Sequence, residues 1–188
     1  MFPGQTHAPV SQDDGRRCHN HRQRPDNPWA VALLPSGRFL ITEKAGRLRI
    51  LNKDGSASAH HHPANMPPVY FRGQAGLLDV ALDKNFASNH RIFFVYMRIV
   101  DADTCVHAID SATLDEDAGA LSNVHTIFQG TPFTNRAVSQ SGSRIAIDPK
   151  DGNLFVALGD RSTGDPLPLQ AQHTDKYLGQ DHPHHAGR

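Results

Sequence analysis

The chain has 188 residues, enough to form one hydrophobic core, and 19 Lys and Arg residues balance 19 Asp and Glu residues. This formal charge of zero gives no electrostatic basis for binding nucleic acid or an anionic membrane surface. The 15 glycines, 13 prolines and mean hydropathy of -0.50 favour short strands joined by turns over long helices. We therefore expect an all-β protein.

The cysteines and the N-terminus bear on the cellular compartment in which the protein is expected. Cys18 and Cys105 are far apart and form no CxxC pair, so we interpret them as isolated thiols. The N-terminus lacks the apolar segment of a secretory signal, and the chain has no apolar stretch of about 18 residues. As written, the chain is expected to stay in the cytoplasm.

The N-terminal half begins with a segment that has no apolar period. Residues 1–25 mix Gln, His, Arg, Pro and Asp, which predicts a disordered or loosely attached segment. Structure is expected to start near Asp26. Residues 28–55 then read PWAVALLPSGRFLITEKAGRLRILNKDG, in which short apolar runs alternate with turn residues. This pattern predicts three strands of an antiparallel meander.

A similar strand start occurs three times along the chain. Ala30–Leu33, Asp79–Leu82 and Arg144–Ile147 are equivalent, and each is followed by a turn and a further apolar run. A repeat of this length with several strands per unit is typical of a β-propeller blade. An ordinary β-sandwich with similar turns is the alternative. Between the repeats, the sequence predicts an outer strand at 105–114, a turn-rich connection LDEDAGALSN at 114–123, and a strand at 124–128.

The third repeat is the clearest hairpin in the sequence. Residues 139–161 read SQSGSRIAIDPKDGNLFVALGDR. Arg144–Ile147 alternates polar and apolar residues, DPKDG supplies turn residues, and Asn153–Leu158 is a second apolar run. The sequence predicts two antiparallel strands, with Asp160 and Arg161 at the end forming a local ion pair or turn cap.

Several collinear motifs resemble one known family. They are the hairpin, DNPWAVALLPSGRFLITEKAGRLRI at 26–50, MPPVYFRGQAGLLDVALDKNFASN at 66–89, and Leu178-Gly179. Together they resemble the soluble quinoprotein sugar dehydrogenases, which include glucose/sorbosone and aldose sugar dehydrogenases. The resemblance covers 26–179 and implies a six-bladed β-propeller, of which this chain holds about two and a half to three blades.

The resemblance also implies an activity. The family binds pyrroloquinoline quinone (PQQ) and calcium, oxidises the anomeric carbon of aldose sugars, and passes the electrons to an acceptor. Its members are typically periplasmic or secreted. By this resemblance, Gln74 in the turn Arg72–Gly76 is the residue that contacts the quinone. Without the resemblance, Gln74 is interpreted as a turn residue exposed to water.

The catalytic position of the family is changed in this chain. The family's histidine stands four residues before the arginine of the hairpin, and Gln140 occupies that position. A neutral amide cannot accept a proton at ordinary pH, and loss of a general base costs about two to four orders of magnitude in rate. The later blades, which carry the family's other quinone and calcium ligands, are also missing. We therefore expect no turnover.

A second function class stays open. The chain is alternatively interpreted as a non-enzymatic propeller fragment that acts as a binding or interaction module. Its exposed strand edges would favour self-association. The experiment that separates the two is a test for quinone-dependent sugar oxidation.

Two other groups of residues resemble metal ligands, but we assign no metal site to either. His60, His61 and His62 are adjacent, so their side chains diverge, and no Cys or Asp nearby has ligand spacing. A set of acids does not fit a calcium-binding loop and is predicted to lie at the surface. These acids are Asp101, Asp103, Asp115, Glu116 and Asp117.

The last residues break the strand pattern. Residues 180–188 read QDHPHHAGR, and codons for them, read one base later, allow Lys-Ile-Ile-Arg-Ile-Thr-Pro-Asp-Gly. The same shift over residues 22–25 allows Ala-Ser-Gly-Leu. We hypothesise that frameshifts altered both ends and that 180–188 is a frameshifted tail. The nucleotide sequence of the gene tests this hypothesis.

Overall fold

The computed structural model describes residues 25–57, 65–131, 133–134, 140–160 and 181–184. In these residues the prediction of an all-β protein is confirmed, because eleven strands form three antiparallel sheets and there is one short helix. The strands are β1 (Pro28–Leu33), β2 (Phe39–Glu43), β3 (Arg47–Leu51), β4 (Leu77–Leu82), β5 (Arg91–Ile99), β6 (Thr104–Asp115), β7 (Ala120–Gln129), β8 (Phe133–Thr134), β9 (Gly142–Ile147), β10 (Leu154–Leu158) and β11 (Asp181–His184), and the helix is α1 (Phe86–Asn89).

Several predictions fall outside the described residues. Among them are almost all of the segment 1–25, the histidines 60–62, Arg161 and Leu178-Gly179. Over the part of the chain that is described, no helix is long and apolar enough to cross a membrane.

The first sheet is the predicted meander. Its strand order is β1-β2-β3, and both pairs are antiparallel. The Pro35-Ser36-Gly37 turn closes through a hydrogen bond from the Gly37 N–H to the Leu34 carbonyl, 2.8 Å long. Local turn chemistry therefore accounts for the prediction of these strands.

The central sheet has the order β4-β5-β6-β7, with β8 paired to β6. The prediction of an outer strand at 105–114 is wrong, because β6 lies between β5 and β7 and is buried along most of its length. The predicted connection at 114–123 is also too long. Since β6 and β7 pair as far as Asp115 and Ala120, the turn is confined to residues 116–119.

The third sheet has the order β9-β10-β11 and contains the predicted hairpin. Its turn is closed by Asp148, whose carboxylate accepts the Lys150 N–H at 2.7 Å and whose carbonyl accepts the Gly152 N–H at 2.8 Å. The expectation that the tail breaks the strand pattern is wrong for residues 181–184, which pair with β10 as β11. Backbone pairing at a sheet edge does not require an apolar side-chain pattern, and an edge strand tolerates Pro183.

The three sheets stack face to face, with the central sheet in the middle. Side chains alternate along β5, so Ile92, Phe94 and Tyr96 pack in the core shared with the first sheet, whereas Phe93 and Val95 pack in the core shared with the third. Because both faces are covered, β5 is an almost unbroken apolar run. Strand β4 contacts both β1 and β9, so the first strands of the three sheets are neighbours.

Glu43 is a charged side chain buried within the first sheet. Its carboxylate accepts the Asp26 N–H at 2.9 Å, the Arg47 Nε–H at 2.6 Å and the Arg49 Nε–H at 2.7 Å. Burial alone would raise the pKa of Glu43, but these hydrogen bonds and the charge of Arg49 outweigh it and hold the pKa below its ordinary value. Ionised Glu43 thus links Asp26, which precedes β1, to Arg47 and Arg49 on β3.

We expect Glu43→Gln to lower the free energy of unfolding at about pH 7 by about 3 kcal/mol, because two guanidinium groups lose a buried carboxylate partner. Since the folded-state pKa is lowered, this stabilisation is present above the unfolded pKa and is lost as the pH falls through the folded value. Urea unfolding between about pH 7 and about pH 3.5 measures the difference.

Asp26→Asn is the control for Glu43→Gln. The Asp26 side chain is 61% exposed in its ion pair with Arg47, so its removal should cost less than about 1 kcal/mol. Equal costs for the two substitutions, or a cost of Glu43→Gln that grows toward low pH, would contradict the role given to Glu43.

Candidate functional site

The turn before β4 carries Gln74 and is fixed from two sides. The Lys44 ammonium donates to the Gly73 carbonyl at 2.6 Å, and the Lys44 carbonyl accepts the Leu77 N–H at 2.9 Å. Gly76 has a φ of 152° and lies so close to the Lys44 carbonyl that a Cβ there would collide with it. The first sheet therefore positions this turn, and Gln74 is exposed on it.

The segment that enters β9 has an unusual backbone. Gln140, Gly142 and Ser143 have positive φ angles of 49°, 61° and 80°. Two of these residues are not glycine, so the surrounding structure must hold them in the left-handed region. Gly159 is part of that support, because a Cβ at this position would collide with the Gln140 carbonyl.

The carbonyl of Ser141 is the main anchor of this segment. It accepts the Gly159 N–H at 3.1 Å and the Ser143 hydroxyl at 3.0 Å. The Nε2 atom of buried His107 also lies 3.2 Å from it, and since a carbonyl only accepts, we assign the Nε2–H tautomer to His107. A residue of the central sheet thereby holds the start of the third sheet.

Asp79 on β4 makes a second connection between these two sheets. Its buried carboxylate accepts the Ile145 N–H at 2.7 Å and the Val80 N–H at 2.9 Å, and it lies 3.3 Å from the Arg144 guanidinium. Burial raises the pKa of Asp79 above its ordinary value, although the hydrogen bonds and Arg144 oppose this effect. The sequence motif gave no indication of this role, because the partners are 65 and 66 residues away.

The two predicted site residues meet across the boundary between the central and third sheets. The Gln140 N–H donates to the Gln74 Oε1 atom at 2.6 Å. This hydrogen bond uses the backbone of Gln140, so it does not depend on the side chain at that position. It also uses the acceptor of the Gln74 amide, which leaves the NH2 group as the part that can donate to a ligand.

The described residues offer hydrogen-bond donors that suit an acidic quinone. The NH2 group of Gln74 is one, and the Arg144 guanidinium, with its side chain 75% exposed, is another. Quinone carbonyl and carboxylate oxygens accept such hydrogen bonds. For calcium the result differs, because no group of three or more His, Cys, Asp or Glu side chains within the described ranges is placed to hold a metal ion.

Two of the acids predicted to lie at the surface accept backbone N–H groups within turns. Asp101 accepts the N–H groups of Asp103 and Thr104, and Asp115 likewise accepts two N–H groups of its own turn. Glu116 differs from the prediction, because its side chain is only 11% exposed and pairs with Arg38 at 2.7 Å. Arg38, Glu116 and Asp117 line an ion-paired cavity of about 450 Å³ between the first and central sheets. Its lining also includes Asp115 and His90, so Arg38 faces three carboxylates.

The fold and the site define a class of protein, namely a partial β-propeller of the quinoprotein sugar dehydrogenase type. The family model Glucose / Sorbosone dehydrogenase matches residues 25–182, and the chain therefore belongs to this family. The chain is 33% identical over 156 residues to the aldose sugar dehydrogenase YliI of Escherichia coli (strain K12), covering 82% of this chain and 40% of that protein.

Solved structures agree with this assignment and confirm the predicted partial propeller. A glucose dehydrogenase structure has a TM-score of 0.75 at 32% identity, covering 86% of this chain and 48% of that chain. The PQQ-bound aldose sugar dehydrogenase of Streptomyces coelicolor has a TM-score of 0.70 at 24% identity, covering 84% of this chain and 44% of that one, and it shares the fold. The chain thus spans less than half the length of these relatives.

The opposite pKa shifts of Asp79 and Glu43 give a testable contrast. Because the folded-state pKa of Asp79 is raised, its contribution to stability is present below the unfolded pKa and is lost as the pH rises through the folded value. Asn resembles the protonated carboxyl and does not ionise. As the pH rises from about 3.5 to about 7, the free energy of unfolding of Asp79→Asn should therefore increase relative to that of the unmodified chain. Urea unfolding should show the reverse trend for Glu43→Gln. Parallel trends for the two variants would refute the assignment.

Proposed function

We propose that this chain carries part of a PQQ-dependent aldose-oxidation site, with Gln74 as a quinone contact, and that the chain alone does not oxidise sugars. The observation that supports this proposal is the 2.6 Å hydrogen bond between the Gln140 N–H and Gln74. This hydrogen bond joins Gln74, the quinone contact by resemblance, to Gln140, which by resemblance stands at the position of the family's general base. The family membership of the chain supports the substrate class, an aldose sugar.

The chemistry at position 140 is one of two reasons for the proposed inactivity, and the other is that the chain spans less than half the length of its relatives. Oxidation of the anomeric carbon removes a proton from the sugar hydroxyl and a hydride from the carbon. PQQ, when bound, supplies the acceptor for the hydride. The Gln140 amide can hydrogen-bond the hydroxyl, but it cannot take the proton, because its nitrogen has no basic lone pair. Gln140 thus orients a sugar without activating it.

Calcium and the electron acceptor stay predictions from the resemblance. No group of three or more His, Cys, Asp or Glu side chains in the described ranges is placed to hold a metal ion, so the described acids do not by themselves support a calcium site. A requirement for calcium is tested by adding the ion, or a chelator, to the quinone titration described below.

We expect the purified chain to show no quinone-dependent reduction of a dye when it is mixed with PQQ, calcium and glucose. Gln140→His should remain inactive, since the chain with a restored base still spans less than half the length of its relatives. Robust dye reduction by the unmodified chain would overturn the proposed inactivity. Recovery of turnover in Gln140→His would show that the base was the sole defect.

Quinone binding is measured separately by titrating the chain with PQQ and following the absorbance of the quinone. Gln74→Glu should weaken binding about tenfold, because a carboxylate replaces a donor and repels the acidic quinone. Gln129→Glu is the matched control, since Gln129 lies on β7 and pairs with Arg98. If both variants bind PQQ equally well, Gln74 is not the contact. If the chain binds no PQQ, the proposal fails and the alternative of a non-enzymatic interaction module is favoured.

A further inference from the structure

The loop that carries Gln74 is anchored at both ends by backbone hydrogen bonds to β5. The Tyr70 N–H donates to the Met97 carbonyl at 2.7 Å, and the Met97 N–H donates to the Gly76 carbonyl at 3.0 Å. Between these anchors, residues 71–74 are exposed to solvent. The orientation of Gln74 therefore depends on contacts made within this short exposed stretch.

The turn at residues 72–75 has a central peptide that glycine allows to take two orientations. The turn closes through a hydrogen bond from the Ala75 N–H to the Arg72 carbonyl, 2.8 Å long. Gly73 has a φ of 55°, and Gln74 is not among the residues with a positive φ, which is the pattern of a type II′ turn. A type I′ turn has the same sign of φ at Gly73, but its central peptide is rotated by about 180°. Contacts to the central peptide therefore decide between the two.

Lys44 contacts the carbonyl of this central peptide. Its ammonium donates to the Gly73 carbonyl at 2.6 Å. A hydrogen bond from a charged donor is stronger than one between neutral groups. Rotation of the central peptide would turn the carbonyl away from the ammonium and break this hydrogen bond. Lys44 thus favours the turn in which Gln74 has its observed direction.

Two aromatic rings hold the Lys44 ammonium near this carbonyl. The Lys44 Nζ atom lies 5.9 Å from the ring centroid of Trp29 and 5.9 Å from that of Phe71. Ring faces attract a cation at such distances, and the attraction offsets part of the entropy that an ordered lysine side chain loses. Trp29 lies on β1 and Phe71 lies in the loop, so Lys44 connects the loop to the first sheet.

We propose that Lys44 is a positioning residue for Gln74. Its ammonium, held by Trp29 and Phe71, fixes the central peptide of the turn. The Gln74 Oε1 atom then meets the Gln140 N–H, and the Gln74 NH2 group is directed to the quinone. The link to the quinone rests on the proposed function of Gln74, whereas the link to Gln140 is a property of the chain alone.

The first experiment needs no quinone. Amide hydrogen exchange of the purified chain, followed by NMR, measures how well Gln74 protects the Gln140 N–H. Gln74→Ala removes the acceptor and should accelerate exchange of the Gln140 amide at least about tenfold. Lys44→Met should have a similar effect, although it leaves the acceptor of Gln74 in place.

Three further variants test whether Lys44 acts through Gln74. Lys44→Arg keeps a cation for the rings and a donor for the carbonyl, so the Gln140 amide should exchange within about threefold of its original rate. Lys44→Met added to Gln74→Ala should give no further acceleration, because both changes act on one hydrogen bond. Lys84→Met is the matched control. Lys84 also donates to a backbone carbonyl of another sheet, that of Lys150 at 3.2 Å, but its loss should not affect the Gln140 amide.

The second experiment repeats the PQQ titration with the same variants. Lys44→Met should weaken PQQ binding about tenfold when Gln74 is present, but less than about twofold in the Gln74→Ala background. Lys44→Met also removes a positive charge, and a purely electrostatic effect on the acidic quinone would persist in both backgrounds. The comparison of the two backgrounds therefore separates positioning from charge.

Urea unfolding of each variant verifies that it is folded. Unchanged exchange of the Gln140 amide in either single variant, or additive acceleration when Lys44→Met and Gln74→Ala are combined, would overturn the positioning role. Equal PQQ affinity of Lys44→Met and the unmodified chain would overturn the link to the quinone. If the unmodified chain binds no PQQ, the proposed function fails, and the exchange experiment still decides the role of Lys44.

Discussion

The burial of both faces of the central sheet is the constraint on which the rest of the structure depends. Strand β5 presents Phe94 and Tyr96 to one neighbouring sheet and Phe93 and Val95 to the other. A sheet with two apolar faces cannot be stable alone, because one face or both would be exposed to water. The first and third sheets satisfy this requirement, and each of them then has an outer face of its own. The apolar pattern of β5 therefore requires a neighbouring sheet on each face of the central sheet.

The candidate site lies where this stacking is reinforced by polar contacts. Asp79 and His107 both belong to the central sheet, and both hold the backbone that begins the third sheet. Their contacts keep Gln140 and its neighbours in left-handed conformations that would otherwise be unfavourable. A strained backbone segment persists when the surrounding structure holds it in place. In this segment the backbone N–H of Gln140 points at the side chain of Gln74.

The sequence was most informative where structure is determined locally. The turns at Pro35-Ser36-Gly37 and Asp148–Gly152 contain their own hydrogen-bonding groups, so the strands on either side were predictable. Prediction failed for β6, whose interior position depends on partners supplied by β7, and for β11, whose pairing depends on the free edge of β10. Strand β11 is distant from β10 in the sequence, whereas β7 directly follows β6 but begins within the stretch LDEDAGALSN, which has no apolar pattern.

The site shows the same division between local and distant information. Gln74 and Gln140 were identified by motif resemblance, yet their hydrogen bond joins residues 66 positions apart and could not be derived from spacing. Asp79 and His107 were missed, because a single acid or histidine in a strand has no distinguishing local signal. Asp79 and His107 are recognisable as important only from the fold, in which both side chains are buried against the third sheet.

The geometry at position 140 holds the backbone in place without using the side chain. The contact with Gln74 is made by the backbone N–H, and the support from Gly159 is directed at the backbone carbonyl. Neither contact requires a particular side chain. A change of side chain at position 140 would therefore alter which groups can donate, accept or take a proton there without removing the interactions that position the segment. Architecture and chemistry at this position depend on different atoms of the same residue, so the fold of the hairpin does not depend on which side chain position 140 carries.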